Sequence, residues 1–208
     1  MITLTLNTTD GNKEEFMTSS DVTQINLSSR SIAAIDLSSL DACSSLEELD
    51  LSNNDLMAVD LAPLSFCPKL QTLRLSHNKL MTIDLEPIGY CSKFRELYLS
   101  DNRIMRLDIE SLSNCHELSR IEVQNNNIIQ LYLNPLSESS KLEKLDISQN
   151  RIKHLDVGPL FSCSSLITFI FDSDVDIHSY IVAGLSHSNP PSLNELIKKM
   201  EIRFIIDE

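Results

Sequence analysis

From Val22 to Ser165 the chain repeats one arrangement of apolar and polar residues in six consecutive units of 24 residues, in constant register. The units begin at Val22, Leu46, Leu70, Phe94, Leu118 and Leu142, and positions 1, 4, 6, 11, 14, 16 and 19 of each are apolar without exception. Position 9 is Asn in five units (Asn54, Asn78, Asn102, Asn126, Asn150) and Arg30 in the first. Residues 46–57, LEELDLSNNDLM, and 70–81, LQTLRLSHNKLM, show what is held and what is free. Leucines and asparagine stay, while Glu48, Asp50 and Asn53 give way to Thr72, Arg74 and His77. Alternation at positions 4 and 6 predicts a short strand with one buried face. The apolar residues at 11, 14, 16 and 19 follow neither a helical stripe nor a strand, so short 3₁₀ or irregular turns are expected there.

A fixed period of this length marks a solenoid, in which one unit cannot bury its apolar edge alone and each leans on its neighbours. The two ends then need caps. Residues 1–21 offer a strand, ITLTL, and a polar turn around Asp10 and Gly11 as an N-terminal cap. Residues 22–165 are the six repeats. Residues 166–208 hold a decayed seventh unit, LITFIFDSD, then a Pro-started helix candidate, PSLNELIKKM, and a strand-like stretch, EIRFIID, as a C-terminal cap. A single complete domain is expected.

The spacing LxxLxLxxNxL resembles the leucine-rich repeat superfamily over about 144 residues. That resemblance implies an α/β-class, right-handed solenoid with a parallel concave β-sheet, inward-packed asparagines and short 3₁₀ or irregular convex segments. The second halves, such as VDLAPLSFCPK, depart from the Gly-x-Ile-Pro form of the commonest 24-residue subclass. They look more like units in which a Cys precedes the next leucine.

Two further columns carry chemistry-bearing residues. All five cysteines (Cys43, Cys67, Cys91, Cys115, Cys163) occupy position 22, with Ser139 in the fifth unit. A straight column does not converge tetrahedrally as zinc requires, so the expected role is small apolar filler inside the convex wall. Position 15 holds Asp36, Asp60, Asp84, Asp108 and Asp156, broken by Tyr132. This column admits cation binding, as in calcium solenoids, or capping of backbone N–H groups in the following turn, and the shortage of glycine favours capping.

The net charge of −13 argues against nucleic acid as a partner. It is uneven: residues 1–69 carry 3 basic and 11 acidic side chains, residues 70–165 carry 11 and 12. No apolar run is long enough to span a membrane, and the N-terminus does not have the form of a secretory signal. Five unpaired thiols favour a reducing compartment, hence a cytoplasmic location. Two glycosylation-type triplets, at Asn7 and Asn26, are weak signals beside that. The five histidines fall at unrelated repeat positions, and no phosphate-binding, zinc-protease or serine-nucleophile motif is present. The expectation is no catalysis, no cofactor and no metal.

Side chains at positions 3, 5, 7 and 8 should project from the concave sheet. The most interface-like cluster among them is Arg74, His77, Tyr98, Asp101, Arg120 and Glu122, because Tyr and Arg are enriched at binding hot spots. The competing account is that these charges only neutralise one another across the sheet. A second candidate surface is the basic loop edge of Lys79, Arg103, Arg106, Arg151 and Lys153, suited to an acidic partner. The function expected is protein–protein interaction by a scaffold-like monomer. Alternatives are a regulatory subunit of a phosphatase or small GTPase, and a self-assembling structural repeat.

Overall fold

The computed structural model describes residues 1–180, 190–198 and 203–205. The repeat becomes a right-handed stack of coils, the hand that parallel crossover connections take. In each unit, positions 3–5 form a three-residue strand: β3 (Gln24–Asn26), β5 (Glu48–Asp50), β6 (Thr72–Arg74), β7 (Glu96–Tyr98), β8 (Arg120–Glu122) and β9 (Lys144–Asp146). With β11 (Thr168–Ile170) of the seventh unit they make one seven-stranded parallel sheet in sequence order. The register advances by one whole unit per strand, so Leu49, Leu73, Leu97, Ile121 and Leu145 lie side by side. All of these are buried, because alternate residues of a strand share a face and this face meets the core.

The strands are short because position 8 turns the chain. Ser29, Asn53, His77, Asp101, Asn125 and Gln149 have φ between 55° and 57°, in the left-handed region. Asn, Asp and His tolerate that region better than most side chains, which accounts for much of what this column contains. The next residue, the position-9 asparagine, satisfies the backbone of the bend. Asn102 donates from Nδ2 to the carbonyls of Leu75, Leu99 and Ser100, and its Oδ1 accepts the Leu80 N–H at 3.0 Å. Asn54, Asn78, Asn126 and Asn150 repeat the pattern.

The convex side is built from 3₁₀ turns, five residues long in units one to four and six. Each is entered through the position-15 aspartate. Asp36, Asp60, Asp84, Asp108 and Asp156 accept the backbone N–H two residues on, at 2.8–2.9 Å. Capping is thus the role of this column. Unit five, with Tyr132 for the aspartate and Ser139 for the cysteine, has the shortened turn Asn134–Leu136. Position 14, apolar throughout, is only partly buried at Ile35, Val59 and Ile83, which pack on the margin of the core.

At the N-terminal end, β1 (Ile2–Thr8) and β2 (Lys13–Thr18) form a hairpin through the turn at Gly11, where φ is 86°. β1 pairs antiparallel with β4 (Ile32–Asp36), which lays Ile2, Leu4 and Leu6 over the first coil. At the other end, β10 (His154–Asp156), β12 (Asp176–Tyr180) and β13 (Arg203–Ile205) form a small parallel sheet. The helix α1 (Pro191–Lys198) inserts Leu193 into the core. The helix and strand expected in the C-terminal segment are both present. Their residues 199–202 and 206–208 lie outside the described residues.

Asn102→Ala leaves one buried N–H and three carbonyls without this partner. We expect it to lower the unfolding free energy by about 3 kcal/mol in urea titrations, whereas a loss under about 1 kcal/mol would remove the asparagine column as the tie between coils.

Candidate functional site

Side chains at positions 3 and 5 share the face opposite the buried leucines, and the in-register sheet sets them in two rows across neighbouring strands. On such a face, diagonal neighbours come within reach of long side chains. Arg74 on β6 reaches back to β5, where its Nε donates to Glu48 Oε1 at 3.0 Å. It also reaches forward, with Nη2 3.7 Å from Glu96 Oε2 on β7. Its guanidinium carbon lies 4.2 Å from the centroid of the Tyr98 ring, a cation–π stack. The Tyr98 hydroxyl donates to Glu96 Oε2 at 3.0 Å. Arg74 is therefore fixed from both sides with its side chain still 34% exposed.

The next two strands carry a second group. Arg120 Nη1 and Lys144 Nζ both donate to Glu122 Oε1, at 3.1 and 2.8 Å. Partial burial tends to raise the Glu122 carboxyl, but the two cationic donors outweigh it and hold the group below its usual range. Tyr98 is pushed up, first by burial and then by its bond to Glu96, so it stays a neutral donor. At the strand ends, His77 Nε2 lies 3.5 Å from Asp101 Oδ2, and Asn125 donates to Asp101 Oδ1 at 2.5 Å.

The six residues singled out by the sequence thus form three contacting pairs: Arg74 with Tyr98 and His77 with Asp101 on adjacent coils, and Arg120 with Glu122 within one strand. Sequence reasoning left out the residues that hold them, Glu48, Glu96 and Lys144. Their positions in the same two columns were the available signal. It also missed Gln124, which replaces serine at position 7 and whose buried Oε1 has no hydrogen-bond partner among the described residues. The expectation that positions 3, 5 and 7 lie open to solvent is only half met. Crowding on the sheet half-buries most of them, and Ser100 and Asp146 are buried. Asp50 and Asp146 accept both the N–H and the hydroxyl of Ser52 and Ser148, closing the strand ends.

On the loop edge, Lys79 pairs with Asp55 and Lys153 with Asp174. Arg103, Arg106 and Arg151 are exposed and make no ion pair among the described residues. The cysteines line the inside of the convex wall as free thiols. Cys67, Cys91, Cys115 and Cys163 donate to the position-19 carbonyl of an adjacent coil at 3.2–3.6 Å. Burial pushes Cys67, Cys91 and Cys163 up to about 12 and Cys115 to about 11. Among the described residues no group of three or more His, Cys, Asp or Glu is placed to hold a metal ion, and no helix is long and apolar enough to cross a membrane.

The sequence model of the family described as "Leucine rich repeat" matches at residues 20–80, 68–128 and 92–152. Among solved structures, internalin C2 from Listeria monocytogenes is similar with a TM-score of 0.50 at 22% identity, over 89% of this chain and 81% of that one. Internalin F from the same organism gives 0.52 at 19% identity, over 88% and 58%. A leucine-rich repeat protein of Leptospira interrogans gives 0.60 at 16% identity, over 91% and 57%. The chain thus spans little more than half of the last two. No curated protein matches it. At these identities the likeness is one of fold.

Two outcomes follow from the titrating groups. Glu122, depressed in the folded state, contributes stability that is fully present above its unfolded value of about 4.3 and lost as pH falls through the folded value. Glu122→Gln should therefore cost about 1 kcal/mol near pH 7 and almost nothing near pH 2, read from thermal melts at both. The thiols should resist an aromatic disulfide reagent near pH 8 until the protein is unfolded, because so few are thiolate and none is open to attack. Rapid labelling of the native protein would contradict their burial.

Proposed function

The chain belongs to the leucine-rich repeat family, whose members generally serve as protein-interaction modules, and from that premise we propose that it binds a protein partner without catalysis. The site is the concave sheet at Arg74, His77, Tyr98, Asp101, Arg120 and Glu122. The observation that carries this reading is the Arg74–Tyr98 stack, clamped by Glu48 and Glu96 and still partly exposed. A hot-spot pair already ordered before binding loses little freedom on association. Neutralisation across the sheet and binding are compatible, since the ion pairs are what fixes the side chains.

The proposal extends to a monomer acting in the cytoplasm. Five unpaired thiols support a reducing compartment, and the net charge of −13 speaks against a polyanionic partner.

Affinity capture with the wild type beside Arg74→Ala/Tyr98→Ala tests the site. A protein retained by the wild type should be lost or weakened at least about tenfold by the double variant, with melting shifted by no more than a few degrees. Equal capture by both would remove the concave face as the site.

A further inference from the structure

An exposed apolar column of the repeat array lies away from the concave sheet. Position 12 is Met57, Met81, Met105 and Ile129 in units two to five, and these side chains are 66%, 56%, 50% and 54% exposed. Four consecutive coils thus present a continuous flexible apolar stripe, just past the buried position 11. A single exposed methionine needs no explanation, but a column of four in register costs solvation on every coil and contributes nothing to the core. Methionine-rich surfaces adapt well to apolar partner side chains.

Basic residues lie along the position-10 side of the stripe, and an acidic column lies beyond its other side. Position 10 supplies Lys79, Arg103 and Arg151, and position 13 supplies Arg106, so Met105 sits between two arginines that make no ion pair among the described residues. Two residues beyond Arg106 runs the position-15 column, with Asp60, Asp84 and Asp108. Past Met105 the stripe opens into a groove of about 760 Å³ lined by Arg106, Ile129, Tyr132 and Pro135, with Asp108 and Glu110 along it.

We infer that this edge is a second docking surface, distinct from the concave site, and that its occupant is an amphipathic helix of a protein partner with carboxylates along one border. Three features select that occupant. The coils repeat at about 5 Å, the strand spacing, and the apolar residues of an a/d helical stripe also advance about 5 Å along the helix axis. One helix therefore places one apolar side chain per coil. The guanidiniums of Arg103 and Arg151, both on the position-10 side and without an ion pair among the described residues, ask for carboxylates on the helix border that faces them. The aspartate column repels carboxylates on the other border, which fixes the orientation in which the helix lies.

The probe is a synthetic helical peptide of about 18 residues with leucine at a and d, glutamate along one border and glutamine elsewhere, followed by fluorescence anisotropy. Wild type should bind it, with affinity falling as salt rises. Met81→Asp/Met105→Asp should weaken binding about tenfold or more, and these exposed substitutions should leave melting unchanged. Arg103→Glu/Arg151→Glu should weaken it comparably, and a peptide with lysine in place of the glutamates should recover binding to that variant. Arg74→Ala/Tyr98→Ala should bind the peptide as the wild type does, which separates failure of this site from failure of the concave one. Equal affinity of wild type and Met81→Asp/Met105→Asp would overturn the inference, as would equal binding of the lysine peptide to wild type. So would a concentration-dependent dimer, or adsorption to phosphatidylserine vesicles, that the methionine substitutions abolish while the peptide fails to bind. The stripe would then belong to a second copy or to a lipid surface.

Discussion

One buried amide per coil carries the architecture. A chain that turns sharply every few residues strands backbone groups inside the bend, and each stranded group costs about 1–3 kcal/mol if left unpaired. The position-9 asparagine answers for several at once, and it does so across the boundary between coils. Asn78, for instance, donates to Leu51 of the preceding unit and accepts the N–H of Leu56 there. The hydrogen bond that completes one bend thereby ties it to its neighbour. Hydrophobic burial drives the stacking, but it is non-directional. The asparagines and the strand ladder set its register.

The ends show the same requirement by its absence. The first unit has no coil before it and carries Arg30 in place of asparagine, its guanidinium 5.8 Å from the ring of Phe16 in the hairpin. At the other end the seventh unit continues the sheet through β11 but has lost the asparagine. The carboxylate of Asp172 takes up the N–H groups of Gln149 and Asn150, at 2.7 and 3.0 Å. Between interior coils that work is done by backbone carbonyls, as where Ser76 and His77 receive Asn53 and Asn54.

Most of the fold is legible in the sequence because a solenoid's long-range contacts recur at a fixed separation. Knowing that Leu49 meets Leu73 is the same as knowing the period. The aspartate column was assignable to capping for a similar reason, since its partner lies two residues away. What the period could not reveal was direction. His77 and Asp101 read as freely varying surface residues, but their column is constrained by a left-handed backbone. Met57, Met81 and Met105 vanish among apolar letters until the fold shows that position 11 turns in and position 12 turns out. The partial burial of the concave rows was likewise invisible, because it arises from neighbours on other strands and not from the local pattern.

The two faces differ in physical character. On the concave sheet, Arg74, Arg120 and Lys144 are bonded to carboxylates, so that surface is ordered and its cations are neutralised. The loop edge pairs mobile thioethers with unpaired guanidiniums, which makes it adaptable and polarised. Rigid, ordered groups favour selectivity for shape, whereas soft ones tolerate variation in what they touch. Because every interior junction offers the same donors and acceptors, the length of this molecule changes naturally in steps of one coil. Unequal recombination between two units leaves each boundary chemically intact, but a slip of a single residue turns all the core positions of a coil out of line at once. Growth by whole turns is the one kind of insertion such a chain absorbs easily.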